Sequence, residues 1–325
     1  MVGIWLSSIK NSVFQNTEIQ CLVPISGASK LGKKMTCHFI FYNVKLGQCI
    51  GVLPHDGRDH AIMIDCGHDD DFHPIDDFCV YLPKESSLGT RPSLRQLVLT
   101  NYDHDHFSGL PNLHSVAKIE SVRLPKNLTM DEIRALKSNS TSALDTLAAI
   151  RSTYSSPLSN YTPPFTCRTF LLTQDELNAA AIPIETNHLS QLVFIQYGDS
   201  TLCVPGDLEQ QSWALMLSKA DVRDWLKKTT IYVASHHGRE NGYHSDIFKY
   251  CSPECIIMSD KAIVHSTQEA MSAVYGKHVQ QDGVYYSPAS GIPSLRKTLT
   301  TRNDGHIIIT VPLSGAPTYR AHKIT

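Results

Sequence analysis

Long hydrophobic runs are missing from this chain of 325 residues, whose apolar stretches reach only strand length. That argues against a helix of about 20 apolar residues crossing a bilayer. The opening residues, MVGIWLSSIKNSVFQ, carry neither a basic segment nor a long apolar one. A cytoplasmic protein with no signal peptide and no membrane association is therefore expected. Charge of one sign is also lacking: 29 Lys and Arg stand against 31 Asp and Glu, a net charge of −2. No global basic field gathers nucleic acid, so a polyanion would have to meet a local patch. Cysteines number nine, an odd count, and Cys251 and Cys255 are not followed by a second pair. That spacing excludes a disulfide framework or zinc knuckle and fits reduced thiols. Repeats, low-complexity tracts and a linker rich in Pro, Gly or Ser are absent too, which favours one domain over 1–325 with an insertion.

What is present is a succession of strands with polar ends. Residues 36–66 alternate apolar and polar, then pass through a loop into Ala61–Ile64, closed by Asp65-Cys66-Gly67; two or three antiparallel strands are expected. LRQLVLT (94–100) is another strand, and Asp103, His104, Asp105 and His106 crowd the loop where it ends. A helix is expected over 129–151, with Thr129 and Glu132 as a capping box and Ile133, Leu136, Ala143, Leu147 and Ile150 on its apolar face. A hairpin over 192–207 turns at Gly198-Asp199-Ser200 and delivers Asp207 at its end. After the amphipathic stretch Leu208–Lys228, the strand TIYVA (230–234) runs directly into SHHG, with His236 and His237.

Three strands thus end in metal-binding residue types, the layout of an α/β protein with its chemistry on loops at one sheet edge. Each signal alone has a bland explanation. Asp and His are common in turns, Asn187 can pin its own turn, and His104 is expected to face solvent. Taken together, Asp103–His106, Asp207 and the His pair are not explained by turn formation.

The motifs TNYDHDHFSGL (100–110), NHLSQLVFIQYGDSTLCVPGDLE (187–209) and SHHG (235–238) resemble the metallo-β-lactamase fold, and more narrowly the hydrolase domain of ComEC-type competence proteins and stand-alone relatives. FYNVKLGQC (41–49), MIDCG (63–67), VYYSPASG (284–291) and GHIIITV (305–311) extend the resemblance over about 37–312, with a helical insertion at about 128–165. It implies an αββα sandwich and a metal-dependent hydrolase. The ComEC-type H-x-D-x-D-H motif reads N-Y-D-H-D-H here, with Asn101 in place of the first His.

Carried over residue by residue, the resemblance implies two neighbouring divalent cations. Asp105, His106 and one of His236 and His237 would hold one, Asp207 would bridge, and Asn101, Asp103 and Asn187 or His188 would hold the other. Oxygen donors favour Mn²⁺ or Mg²⁺ over Zn²⁺ in such a set. A hydroxide beside Asp207 would attack, His237 or His265 would protonate the leaving group, and Lys261 would neutralise a phosphate. The expected reaction is phosphodiester or nucleic-acid hydrolysis, with Lys118, Arg123 and Lys126 as further local cations. A lactone, thioester or amide hydrolase is the alternative on the same fold. A third reading, resting on Asn101, is a metal-depleted binding subunit acting through a protein partner encoded in the same operon.

Overall fold

The computed structural model describes residues 35–55, 58–84, 91–137, 140–154, 162–260 and 266–324, without the side chains of 266–269. The N-terminal stretch read for a signal peptide lies outside them, as do Lys261 and His265. The described residues gather into one compact unit.

Thr36–Phe41, Ile50–Pro54 and Ile62–Ile64 pair antiparallel, as their alternation predicts. They are the middle of a nine-stranded sheet among the described residues. Gln96–Val98 adds parallel to Ile62–Ile64, and Val122–Arg123 parallel to that. On the other side Ile307–Pro312 pairs with Thr36–Phe41, followed by Thr318–Ala321 and the hairpin of Val284–Ser287 with Ser294–Arg296. The second sheet has six strands, in the order Thr298–Thr300, Cys255–Met258, Ile231–Val233, Ser200–Val204, Leu192–Tyr197 and Thr166–Phe170. The hairpin expected over 192–207 is its fourth and fifth strands, turning on Gly198 at φ 55°.

Side-chain alternation sorts these strands into two cores. Cys37, Phe39, Phe41, Ile62, Ile64, Leu202, Val204, Ile231 and Val233 belong to a cluster drawn almost wholly from the strands of the two sheets. The intervening Ile40, Met63, Cys203 and Tyr232 join a larger cluster with helix residues such as Phe78, Leu113, Leu147, Trp213 and Leu226. Both faces of the strands are covered, which is why they read as nearly continuous apolar runs. Two sheets face to face with helices outside give the αββα sandwich of the metallo-β-lactamase fold.

The helix expected over 129–151 is two helices, Met130–Ala135 and Ser142–Thr153. The Thr129–Glu132 capping box forms as expected. Thr141 then accepts a hydrogen bond from the Leu144 amide and starts a second helix. Ser and Thr side chains compete for backbone groups and favour caps over helix interiors, so Thr141 opens a new helix rather than continuing the first. Leu136, placed on the apolar face by periodicity, is 38% exposed at the break. The stretch 208–228 divides likewise, into Gln210–Ser218 and Ala220–Leu226. Eight cysteines among the described residues are all free thiols, and no helix there is long and apolar enough to cross a membrane.

Candidate metal centre

Parallel pairing brings the polar strand ends together. Ile231–Val233 runs parallel to Ser200–Val204, so His236-His237 and Asp207 leave the second sheet at the same edge. Gln96–Val98 runs parallel to Ile62–Ile64, so Asp65 and the segment from Thr100 leave the first sheet side by side; Asp105 and His106, expected on a loop, lie in the short helix His104–Phe107. Two glycines admit this helix: a Cβ at Gly47 or Gly67 would lie 2.3 Å from the backbone oxygen of Asp105.

At the meeting point Asp105, His106 and His237 each offer a ligand atom within 4.8 Å of the others. His237 Nε2 is 3.3 Å from Asp105 Oδ2 and 3.5 Å from Asp207 Oδ1. His106 Nε2 is 3.0 Å from that same Asp207 oxygen. The side chains of His106, His237 and Asp207 are at most 6% exposed.

The outer nitrogens are spoken for. His106 Nδ1 lies 2.8 Å from Asp65 Oδ2, and His237 Nδ1 donates to the Ser259 carbonyl at 2.9 Å. Both imidazoles therefore turn Nε2 inward, where each buried nitrogen faces a carboxylate oxygen at ion-pair distance. Two imidazole nitrogens and two carboxylates converging in a buried space are the donor set of a divalent cation. Electrostatics agree. Burial works against charge on His106, but the Asp207 and Asp65 carboxylates outweigh it and hold its pKa well above the usual value. Burial likewise opposes charge on His237, which Asp207 and Asp105 pull up. Asp105 is held below the usual range by the two imidazoles against burial, as is Asp207.

Between the adjacent histidines, the group contains His237. His236 Nε2 receives the Arg239 guanidinium at 3.0 Å, its Nδ1 is 3.5 Å from Glu209 Oε1, and burial lowers its pKa. Presenting the pair so differently takes an unusual backbone. His236 (φ 51°, ψ 48°) and His237 (φ 56°, ψ 23°) are consecutive left-handed residues, each costing about 1–2 kcal/mol. The turn is held by His236 N donating to the Gly206 carbonyl at 3.0 Å and by Trp213 Nε1 donating to Ser235 Oγ at 3.2 Å.

The residues expected around a second cation are arranged otherwise. Asn101 Nδ2 donates to Asn187 Oδ1 (2.9 Å) and Ser190 Oγ (3.1 Å), while its Oδ1 accepts from the Asp103 amide (2.8 Å). Asn187 Nδ2 donates to Glu209 Oε1, and Asp103 Oδ1 is bonded by both Lys137 and Thr186. His188 is buried against Ser212 Oγ at 2.9 Å, and His104 is exposed, as expected.

Asp65 was not singled out from the sequence as a site residue. Its buried carboxylate receives Gln48 Nε2 (2.7 Å), Thr100 N (2.6 Å), Thr100 Oγ1 (2.5 Å) and His106 Nδ1 (2.8 Å). Its signals were its place at a strand end and within MIDCG (63–67), neither of which marks it as a partner of His106. Glu209 and Lys137 had no signal.

No protein-family model matches the sequence, and no curated protein matches it. Among solved structures, the chain is similar to the metallo-β-lactamase fold protein YhfI from Bacillus subtilis (11% identity, TM-score 0.39, 73% of this chain and 91% of that one). It is also similar to Zn²⁺-bound PqqB from Methylobacterium extorquens (13%, 0.38, 60% and 71%). The third is CmlA, a diiron β-hydroxylase from Streptomyces venezuelae (12%, 0.43, 78% and 52%). Likenesses of this size carry none of those proteins' chemistry to this chain.

Proposed function

We propose that the chain is a metal-dependent hydrolase acting on a phosphodiester, with its ion held by Asp105, His106 and His237 beside Asp207. The observation that carries the reading is the convergence of the buried Nε2 atoms of His106 and His237 on the Asp105 and Asp207 carboxylates. A divalent ion bound there supplies Lewis acidity and lowers the pKa of water. The chain's own residues do the rest. Asp65 and the Ser259 carbonyl fix the two imidazoles by their Nδ1 atoms. Asp207, held ionised by His106 and His237, places a fixed negative charge next to the ion site. The mixed carboxylate and imidazole donors suit Mn²⁺ or Zn²⁺. The carboxylates, together with the ComEC-type motif order, favour a phosphodiester over a lactone, and single-stranded nucleic acid is the substrate to try first.

The test is turnover of bis-p-nitrophenyl phosphate, a single-stranded oligonucleotide and a lactone panel by chelated protein reloaded with Mn²⁺ or Zn²⁺. Metal-dependent phosphodiester cleavage that His237→Ala removes is the expected result. Faster lactone cleavage overturns the substrate class, and no metal-dependent turnover of any of them overturns the hydrolase.

A further inference from the structure

Two residues before Asp105, at the N-cap of the short helix His104–Phe107, stands another carboxylate, that of Asp103, whose backbone amide is linked to that of Asp207 through the Asn101 and Ser190 side chains. Asp103 Oδ1 is bonded by the Lys137 ammonium and by the Thr186 hydroxyl. Lys137 comes from beyond the end of the helix Met130–Ala135, and its side chain is only 20% exposed. The groups that could join Asp103 around an ion are already engaged. Asn101 uses its oxygen on the Asp103 amide and its nitrogen on Asn187 and Ser190. Asn187 in turn accepts from Asn101 and donates to Glu209, whose Oε1 also takes Asn241 Nδ2 at 2.9 Å. Neutral amides contribute no charge to offset a cation, so the charges here are those of Asp103, Lys137 and, at the far end of the amide chain, Glu209.

We propose that the Lys137 ammonium supplies the second positive charge of this centre, so that the chain takes one divalent ion, at Asp105, His106 and His237, and carries a built-in organic cation at Asp103. The inference rests on the metal-hydrolase reading above. An ammonium on a flexible stem is a compact point charge with three donors, able to neutralise a carboxylate without metal geometry. It also excludes a metal from that carboxylate, by charge repulsion and by filling the oxygen's coordination position. Removing it leaves Asp103 bonded by Thr186 alone, and an incoming cation then takes the place of the hydrogen bonds among Asn101, Asn187 and Glu209, a set of hard oxygen donors.

The experiment is metal stoichiometry by equilibrium dialysis and plasma mass spectrometry on the full chain, with Mn²⁺ and Zn²⁺ separately. It compares the wild type, Lys137→Ala, Asp103→Asn and the double variant. Wild type and Asp103→Asn are expected to saturate at one equivalent. Lys137→Ala should saturate at two, and the double variant should return to one. Two equivalents in the wild type overturn the inference, and so does a folded Lys137→Ala protein that stays at one. Should Lys137→Ala not fold, Lys137→Met is counted in its place, and the wild-type count still decides. Zero equivalents in the wild type remove the hydrolase reading and this inference with it, a result distinct from either count above.

Discussion

Asp65 and His106 face each other at 2.8 Å, Oδ2 to Nδ1, with neither side chain exposed to solvent. The carboxylate sets which imidazole nitrogen turns inward and raises its basicity. Asp65→Asn keeps the shape but removes the charge and turns one acceptor into a donor facing Thr100 or His106. Metal affinity is expected to fall about 10- to 100-fold. The fold should lose about 2–4 kcal/mol, because buried donors lose a charged acceptor. Dialysis against Mn²⁺ and urea unfolding measure the two effects, and affinity within twofold of wild type would remove Asp65 from the centre.

The adjacent histidines should separate cleanly. His237→Ala is expected to abolish tight metal binding. His236→Ala should leave the stoichiometry intact, since its Nε2 is engaged by Arg239 rather than aimed into the group. Calorimetric titration of both variants with Zn²⁺ is the check, and the reverse ranking would reassign the ligand.

Gly67, like Gly47, packs its backbone against that of Asp105. A methyl group there would meet the Asp105 backbone oxygen at 2.3 Å and that of Gln48 at 2.9 Å. Gly67→Ala is expected to cost about 1–3 kcal/mol by overpacking, and to lower metal affinity at least about tenfold by displacing the ligand loop. Gly276→Ala, whose nearest contact would be an ordinary 3.5 Å, is the control and should change neither. Thermal melts with and without metal compare them.

His38 offers a pH-dependent readout far from the centre. Burial first, then the nearby His55, Arg320 and His322, lower its pKa to about 4. The unfolded chain, near 6.5, then binds more protons between those values, so stability rises with pH across that window and is flat above it. His38→Gln is expected to flatten the dependence of the melting temperature between pH 4 and 6.5. An unchanged slope would place the titration elsewhere.

Much of this centre was legible in the sequence because strand periodicity and residue type coincide there. Asp105, His106, Asp207 and the His pair each follow an apolar run that could be recognised as a strand, and parallel pairing does the rest. Asp65 escaped because its partner His106 is 41 positions away and only the pairing of their strands joins them. The choice between His236 and His237 lay in a left-handed backbone turn, which residue types alone do not announce. Lys137 escaped for a related reason: its link to Asp103 spans 34 positions and depends on where the first insertion helix ends. That ending was hidden by apolar spacing that runs through the break, until Thr141 recruits the Leu144 amide and begins anew.

Asp105 and His106 hang from one sheet and His237 from the other. An ion gripping all three is a clasp across the seam of the sandwich, joining segments far apart along the chain. Holding such distant points together shrinks the freedom of the unfolded ensemble, and this benefit grows with the length of the closed loop. Loading the centre should therefore tighten the molecule as a whole: amide hydrogens in the strands on both sides of the seam should exchange more slowly with metal than without, including those that never approach the ion.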